Sequence, residues 1–249
     1  MSGRARRQPS RPVLACARRA LLVFGLWLPT AALAAEDTTR SARYADPTGR
    51  YDHGVLGDAI EWGALELTLA NGRRITHRLP MASVFEDVAP RLADLDHDGN
   101  PEVIVVETDL TRGASLAIYD ANGKRVATPH IGQTHRWLAP LGAADLDGDG
   151  HIEIAYVDRP HLARTLRIWR YVDGKLIPVA DQPGLTNHRI GEDTISGGIR
   201  ACAGRPEIIT ANANWTRLIA STLRNGKIET IDIGPHQGPA SFRAALACT

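Results

Sequence analysis

Asp94-Leu95-Asp96-His97-Asp98-Gly99-Asn100-Pro101-Glu102 returns 51 residues further on as Asp145-Leu146-Asp147-Gly148-Asp149-Gly150-His151-Ile152-Glu153. Each stretch sets four carboxylates, at positions one, three, five and nine, into nine residues. Like charges packed that closely in a folded chain repel one another unless a cation neutralises them. Hard oxygen ligands at alternate positions, with a glycine for the sharp turn, suit Ca2+ best. The expected ligands are Asp94, Asp96, Asp98 and Glu102 in one loop and Asp145, Asp147, Asp149 and Glu153 in the other, for two Ca2+ sites. Each loop runs into an apolar stretch, Val103-Ile104-Val105-Val106 and Ile154-Ala155-Tyr156-Val157, which reads as a buried strand. An EF-hand would need a bidentate Glu at position twelve and a helix on either side. Position twelve is Val105 in one loop and Tyr156 in the other, so that alternative is set aside.

A second marker keeps the same period. Asn71-Gly72, Asn122-Gly123, Asp173-Gly174 and Asn225-Gly226 are spaced by 51, 51 and 52 residues, each followed by a basic residue. Such pairs supply the two positive-φ positions of a type I′ hairpin turn, and alternating apolar residues flank them as strands require. Each repeat then consists of a strand, the acidic loop, a second strand and a hairpin. Four short antiparallel strands per period of 40 to 55 residues describe a propeller blade. The expected fold class is all-β, a small β-propeller of about four four-stranded blades with calcium loops between strands one and two.

The fourth repeat keeps the frame without the carboxylates. Gly204-Arg205-Pro206-Glu207-Ile208-Ile209 aligns with Gly99-Asn100-Pro101-Glu102-Val103-Ile104, but the upstream acidic positions are Ile199, Ala201 and Ala203. Cys202 lies in this altered loop. A bond from Cys202 to Cys248 is expected to clamp it to the chain end, where calcium clamps its siblings. The first repeat is degenerate as well: Asp46-Pro47-Thr48-Gly49 stands near the expected place and lacks the carboxylate series.

The first 35 residues carry six Arg and no acid, then an apolar run over Ala20–Leu28 and the small-residue exit Ala31-Ala32-Leu33-Ala34-Ala35. This describes a secretory signal peptide over residues 1–35, with a periplasmic or secreted mature chain over 36–249 forming a single propeller domain. The apolar run is too short for a membrane anchor, so no transmembrane segment is expected after cleavage. The whole chain has 29 basic and 28 acidic residues; without the six leader Arg the balance is 23 to 28, a net charge of −5. No basic cluster survives the cut, which argues against nucleic acid as a partner. Cys16 leaves with the leader, so the two remaining cysteines are an even pair in an oxidising compartment.

At the acidic loops the chain resembles the FG-GAP/VCBS repeat family, whose motif D-x-[DN]-x-[DN]-G-x-x-[DE] is met by Asp94, Asp96, Asp98 and Glu102 and again by Asp145, Asp147, Asp149 and Glu153. The resemblance covers about residues 60–235. It implies calcium bound between the first two strands of a blade, as in integrin-alpha-type propellers. It also implies that the seventh loop position offers a backbone carbonyl, here that of Asn100 and of His151.

Candidate chemistry lies in the connectors between repeats. His135-Arg136 and His188-Arg189 recur there, while the first connector has Glu86-Asp87 instead. Around one mouth of a propeller such pairs would grip a carboxylate, phosphate or sulfated sugar; as framework residues they would bond to neighbouring backbone. No HExxH, G-x-S-x-G or P-loop motif occurs. The expected function is an exported calcium-binding module that binds or scaffolds a protein, a glycan or a small anionic ligand. The alternative is a periplasmic or secreted hydrolase or lyase with its site at the mouth.

Overall fold

The computed structural model describes residues 1, 3, 37–202 and 204–249. The expected leader lies outside the described residues except for Met1 and Gly3, and so does Cys16. The described chain is all-β apart from one short helix, in three antiparallel sheets. The first holds β1 (Thr39–Thr48), β2 (Glu61–Leu69), β3 (Arg74–Arg78), β4 (Ser83–Phe85), β5 (Arg91–Ala93), β6 (Glu102–Asp109), β7 (Gly113–Asp120) and β8 (Gly123–Ala127). The second is β9 (Leu138–Ala144), β10 (Ile152–Asp158), β11 (Thr165–Val172) and β12 (Lys175–Pro183), in that spatial order. The third holds β13 (Leu185–Thr186), β14 (Gly198–Arg200), β15 (Glu207–Asn212), β16 (Arg217–Arg224) and β17 (Lys227–Pro235), and α1 (Pro239–Leu246) follows it.

The second sheet is one complete repeat: a strand, the acidic loop, a second strand and a hairpin. In the neighbouring repeats the first strand is interrupted. Both β4 and β5 pair with β6, and both β13 and β14 pair with β15. The stretches that break them, 86–90 and 187–197, leave the sheet as connector loops. The degenerate first repeat is reduced to β1, β2 and β3, joined to the next through the pairing of Trp62 with Phe85.

Strand periodicity explains how the sheets stack. In β6, Val103 and Val105 face a core with Leu65, Leu67 and Phe85, whereas Ile104 and Val106 face one with Leu138, Ile154 and Tyr156. In β10, Ile154 and Tyr156 share that second core, while Ala155 and Val157 enter a third with Ile208 and Leu223. A strand covered on both faces carries an unbroken apolar run, which is why β6 and β10 show none of the alternation of a half-solvated strand. The outer face of the third sheet, Ile209, Ala211, Leu218 and Ala220, packs against Phe242 and Ala245 of α1.

Two of the four hairpins depart from the expected type I′ geometry. Asp173 and Gly174 (φ 50° and 71°) and Asn225 and Gly226 (φ 50° and 70°) have both central residues at positive φ. In the first hairpin Gly72 takes the positive φ of 81° and its N–H bonds to the Leu69 carbonyl at 2.9 Å. Leu69 and Arg73 close a three-residue loop there, the arrangement that adds a glycine bulge. In the second, Asp120 pairs with Gly123, so the turn centres on Ala121-Asn122. Ala70 and Ala121 begin these two turns, shifting Asn one place along and leaving glycine alone at positive φ.

Candidate functional site

Strands flank both acidic loops, β5 and β6 around the first and β9 and β10 around the second. In each, three carboxylates converge: Asp94, Asp96 and Glu102 each offer an oxygen within 4.8 Å of the others, as do Asp145, Asp147 and Glu153. Ligand oxygens 2.3–2.6 Å from an ion lie at most about 5 Å apart across it, so each trio fits around one cation. The loops share an internal scaffold. Leu95 N–H bonds Glu102 Oε2 and Leu146 N–H bonds Glu153 Oε2, both at 2.8 Å. Gly99 N–H bonds Asp94 Oδ2 and Gly150 N–H bonds Asp145 Oδ2, both at 3.0 Å. After these bonds each loop keeps one buried carboxylate oxygen with no hydrogen-bond donor among the described residues: Asp94 Oδ1 in one and Asp147 Oδ1 in the other. Burying such an atom unpaired is costly, and a bound cation removes that cost. The donor set fits calcium.

Asp98 and Asp149 stand outside the trios, accepting from the backbone N–H of Asn100 at 2.7 Å and of His151 at 2.9 Å. Asn100 also accepts from Thr39 N–H through its side chain at 2.8 Å, tying the loop to β1. His97 Nε2 lies 3.1 Å from the carbonyl of Gly150, so the two loops touch.

The electrostatics of the two loops differ. Burial pushes Glu102 up to about 7, with Asp96 and Asp98 adding repulsion. Burial also raises Glu153, but Arg170 opposes it. The Arg170 guanidinium reaches Glu153 at 2.5 Å, Asp147 at 2.6 Å and Asp149 at 2.7 Å. It stands opposite Glu153 on the next strand, 17 residues on; at the same offset from Glu102 the first loop has Tyr119, whose hydroxyl bonds Glu107 instead. The fourth repeat solves the same problem without a loop cluster: Arg200 Nε donates to Glu207 at 2.8 Å, and Cys202 and Cys248 are disulfide-bonded.

A second assembly sits among the connectors. A cavity of about 250 Å³ is lined by His53, His135, Arg136, Trp137, Arg159, Pro160, His161, Leu162 and Ile190. His53 Nδ1 lies 2.5 Å from Oε1 of Glu86, a fully buried carboxylate whose Oε2 accepts from Thr108 at 2.6 Å. Glu86 also fixes Trp137, whose indole N–H donates to the Glu86 carbonyl at 2.8 Å. His161 stacks on Trp137 and meets His188 at 2.9 Å between ring nitrogens. Burial depresses both, His161 to about 4, so they are neutral at physiological pH. His135 bonds Asp52 at 2.9 Å, and its backbone N–H donates to the Tyr51 hydroxyl at 2.8 Å.

Of the expected connector residues, His135 and Arg136 line this cavity and His188 lies buried behind it. Arg189 does not join them: it is exposed, stacked 4.2 Å over the Trp215 ring. His53, Glu86, Arg159 and His161 were not singled out as a set by the sequence. They come from three different chain segments with no shared spacing; the one visible signal was the Glu86-Asp87 pair replacing His-Arg in the first connector. Arg170 had a signal too, a lone basic residue opposite the last loop carboxylate in a single repeat.

Residues 87–156, which contain both acidic loops, match the family model described as an FG-GAP-like repeat. The chain thus carries the FG-GAP-like repeat that its loops resemble. Among curated proteins none matches. Among solved structures, a rhamnogalacturonan lyase of Bacillus licheniformis is similar over 72% of this chain at 17% identity with a TM-score of 0.42. The match takes in 43% of that protein, so this chain spans less than half its length. Among the described residues no helix is long and apolar enough to cross a membrane.

Proposed function

We propose that this protein is an exported binding module whose repeats are the four blades of a small β-propeller over residues 36–249. Calcium in its two acidic loops serves structure and not chemistry. The observation that carries this is the pair of orphaned buried oxygens, Asp94 Oδ1 and Asp147 Oδ1, each inside a carboxylate trio. Asp94, Asp96 and Glu102 would hold one ion and Asp145, Asp147 and Glu153 the other, with Asp98, Asp149 and the carbonyls of Asn100 and His151 completing the shell. The ion supplies positive charge where two strands bend, tying the first strand of a blade to the second. The disulfide fits an oxidising compartment outside the cytosol. The expected ligand is a protein, a glycan or a small anion, met at the connector end where His135 and Arg136 line a cavity.

Extracellular calcium modules have dissociation constants of about 0.1–1 mM, so 10 mM calcium adds roughly 1 to 3 kcal/mol per site by mass action. The mature protein should melt several degrees higher in calcium than in EDTA, and Asp96→Ala should remove a large part of that difference. Equal melting temperatures in the two buffers would sink the proposal. A hydrolase or lyase at the connector cavity is the second reading, favoured by one observation: a buried carboxylate, Glu86, holding an imidazole, His53, that faces the cavity.

A further inference from the structure

The cavity between the connectors has a lining whose chemistry selects a ligand. Its charged lining groups are arginines and its remaining polar ones imidazoles; no carboxylate lines it among the described residues. Arg159 is occupied by Asp158, through Nε to Oδ1 at 2.9 Å and Nη2 to Oδ2 at 3.0 Å. Arg136 has no such partner among the described residues: its guanidinium donates there only to the neighbouring His135 carbonyl, at 2.9 Å, leaving its fork for an anion.

The imidazoles add a second requirement. Glu86 Oε2 already accepts from Thr108, and Oε1 faces His53 Nδ1. In the tautomer that carries its hydrogen on Nδ1, facing Glu86, His53 Nε2 presents a lone pair to a hydroxyl donor. Leu162 and Ile190 stand at the edge, 62% and 72% exposed, and offer apolar contact without closing the space. Two lining residues, His135 (φ 53°) and Arg159 (φ 46°), hold left-handed backbone, a conformation that costs energy in non-glycine residues. The connectors are also held across the molecule, by Gly191 N–H to the Val55 carbonyl at 3.1 Å. The cavity is thus built from several segments, with its polar groups oriented in advance.

We propose that this cavity binds a small hydroxylated carboxylate of sugar-acid size, with Arg136 gripping the carboxylate and His53 accepting from a hydroxyl. The proposal rests on the binding-module reading and narrows its ligand to one class. Its test uses the mature protein in calcium, titrated separately with D-glucuronate, D-glucose and acetate, and read by calorimetry and by the imidazole nitrogen signals of the histidines. Glucuronate should bind saturably and shift the His53, His135 and His161 signals, with glucose and acetate at least tenfold weaker. Arg136→Gln should weaken glucuronate at least tenfold, while His53→Gln should narrow the preference for glucuronate over acetate. No saturable binding of glucuronate, or binding that Arg136→Gln leaves unchanged, overturns the assignment. The calcium-dependent melting difference, measured on the same samples, separates failure of this ligand site from failure of the calcium reading.

Discussion

Three glutamates hold equivalent places at the start of a repeat's second strand, and each is neutralised differently. Among the described residues Glu102 has only backbone donors and neighbouring aspartates, so of the three loops its loop would gain most from a cation. Glu153 has Arg170, a tethered cation that already spans Asp147 and Asp149. Glu207 has Arg200, beside a covalent link. Calcium entering the second loop competes with a guanidinium, because both need the same oxygens. Arg170→Gln should therefore tighten calcium binding at the second loop about tenfold, equivalent to about 1.4 kcal/mol. It should also lower the melting temperature in EDTA, by leaving three carboxylates uncompensated. Calorimetric titration of the wild type and Arg170→Gln checks this; identical isotherms would show that Arg170 does not compete.

At the level of elements, the connector carrying His135 and Arg136 is seated against the start of β7. Ala114 N–H bonds the Arg136 carbonyl at 2.9 Å, and His130 Nδ1 contacts the Gly113 carbonyl at 2.8 Å. Gly113 has a φ of 77°, and a Cβ there would lie 2.3 Å from the Gln133 carbonyl oxygen and 2.9 Å from that of Arg136. Backbone cannot yield as a flexible side chain does, so Gly113→Ala should cost about 2–4 kcal/mol and displace the connector. Gly49→Ala, with nothing nearer than 4.0 Å, is the control and should fall within about 0.5 kcal/mol of wild type. Denaturant unfolding of both variants measures the difference; a mild effect at Gly113 would mean that the connector is loosely held. The hairpins carry a related lesson. Asn-Gly in three repeats and Asp-Gly in the third were legible as turns, yet the residue before the pair decided whether both residues or only Gly adopt positive φ.

For the molecule as a whole, buried titratable groups set a pH profile with two limbs. His161 is depressed to about 4, so the unfolded chain takes a proton that the folded one refuses, and stability is lost as pH falls from about 6.5 towards 4. Glu61, buried at the start of β2 and repelled by Glu86, is pushed up to about 9. The folded chain keeps that proton where the unfolded one has lost it. Glu61 therefore contributes stability that is full below about pH 4.5 and is lost as pH rises towards 9. Glu61→Gln should leave the melting temperature at pH 4.5 nearly unchanged and raise it by several degrees at pH 8.5. Melting curves at the two pH values decide it, and an equal effect at both would refute the assignment.

Most of what is local and periodic was legible in the sequence, the turn type of two hairpins excepted. Alternating carboxylates around a glycine, apolar runs after them and turn dipeptides at a constant spacing each depend on neighbours within a few residues. The calcium-loop motif, the all-β class and the repeat could therefore be read directly, and the FG-GAP-like match over residues 87–156 agrees with them. Tertiary structure alone decided which distant groups meet. Arg170 entering the second loop, Glu86 holding His53, and His161 lying against His188 join segments tens of residues apart. Arg170 alone left a trace in the repeat, a basic residue opposite Glu153; no spacing rule encodes the other two meetings, because the stacking of one sheet on the next places those side chains together. The same reason separates Arg189 from Arg136: adjacent residues on a connector point in different directions, and His188 turns inward while Arg189 stays on the surface against Trp215.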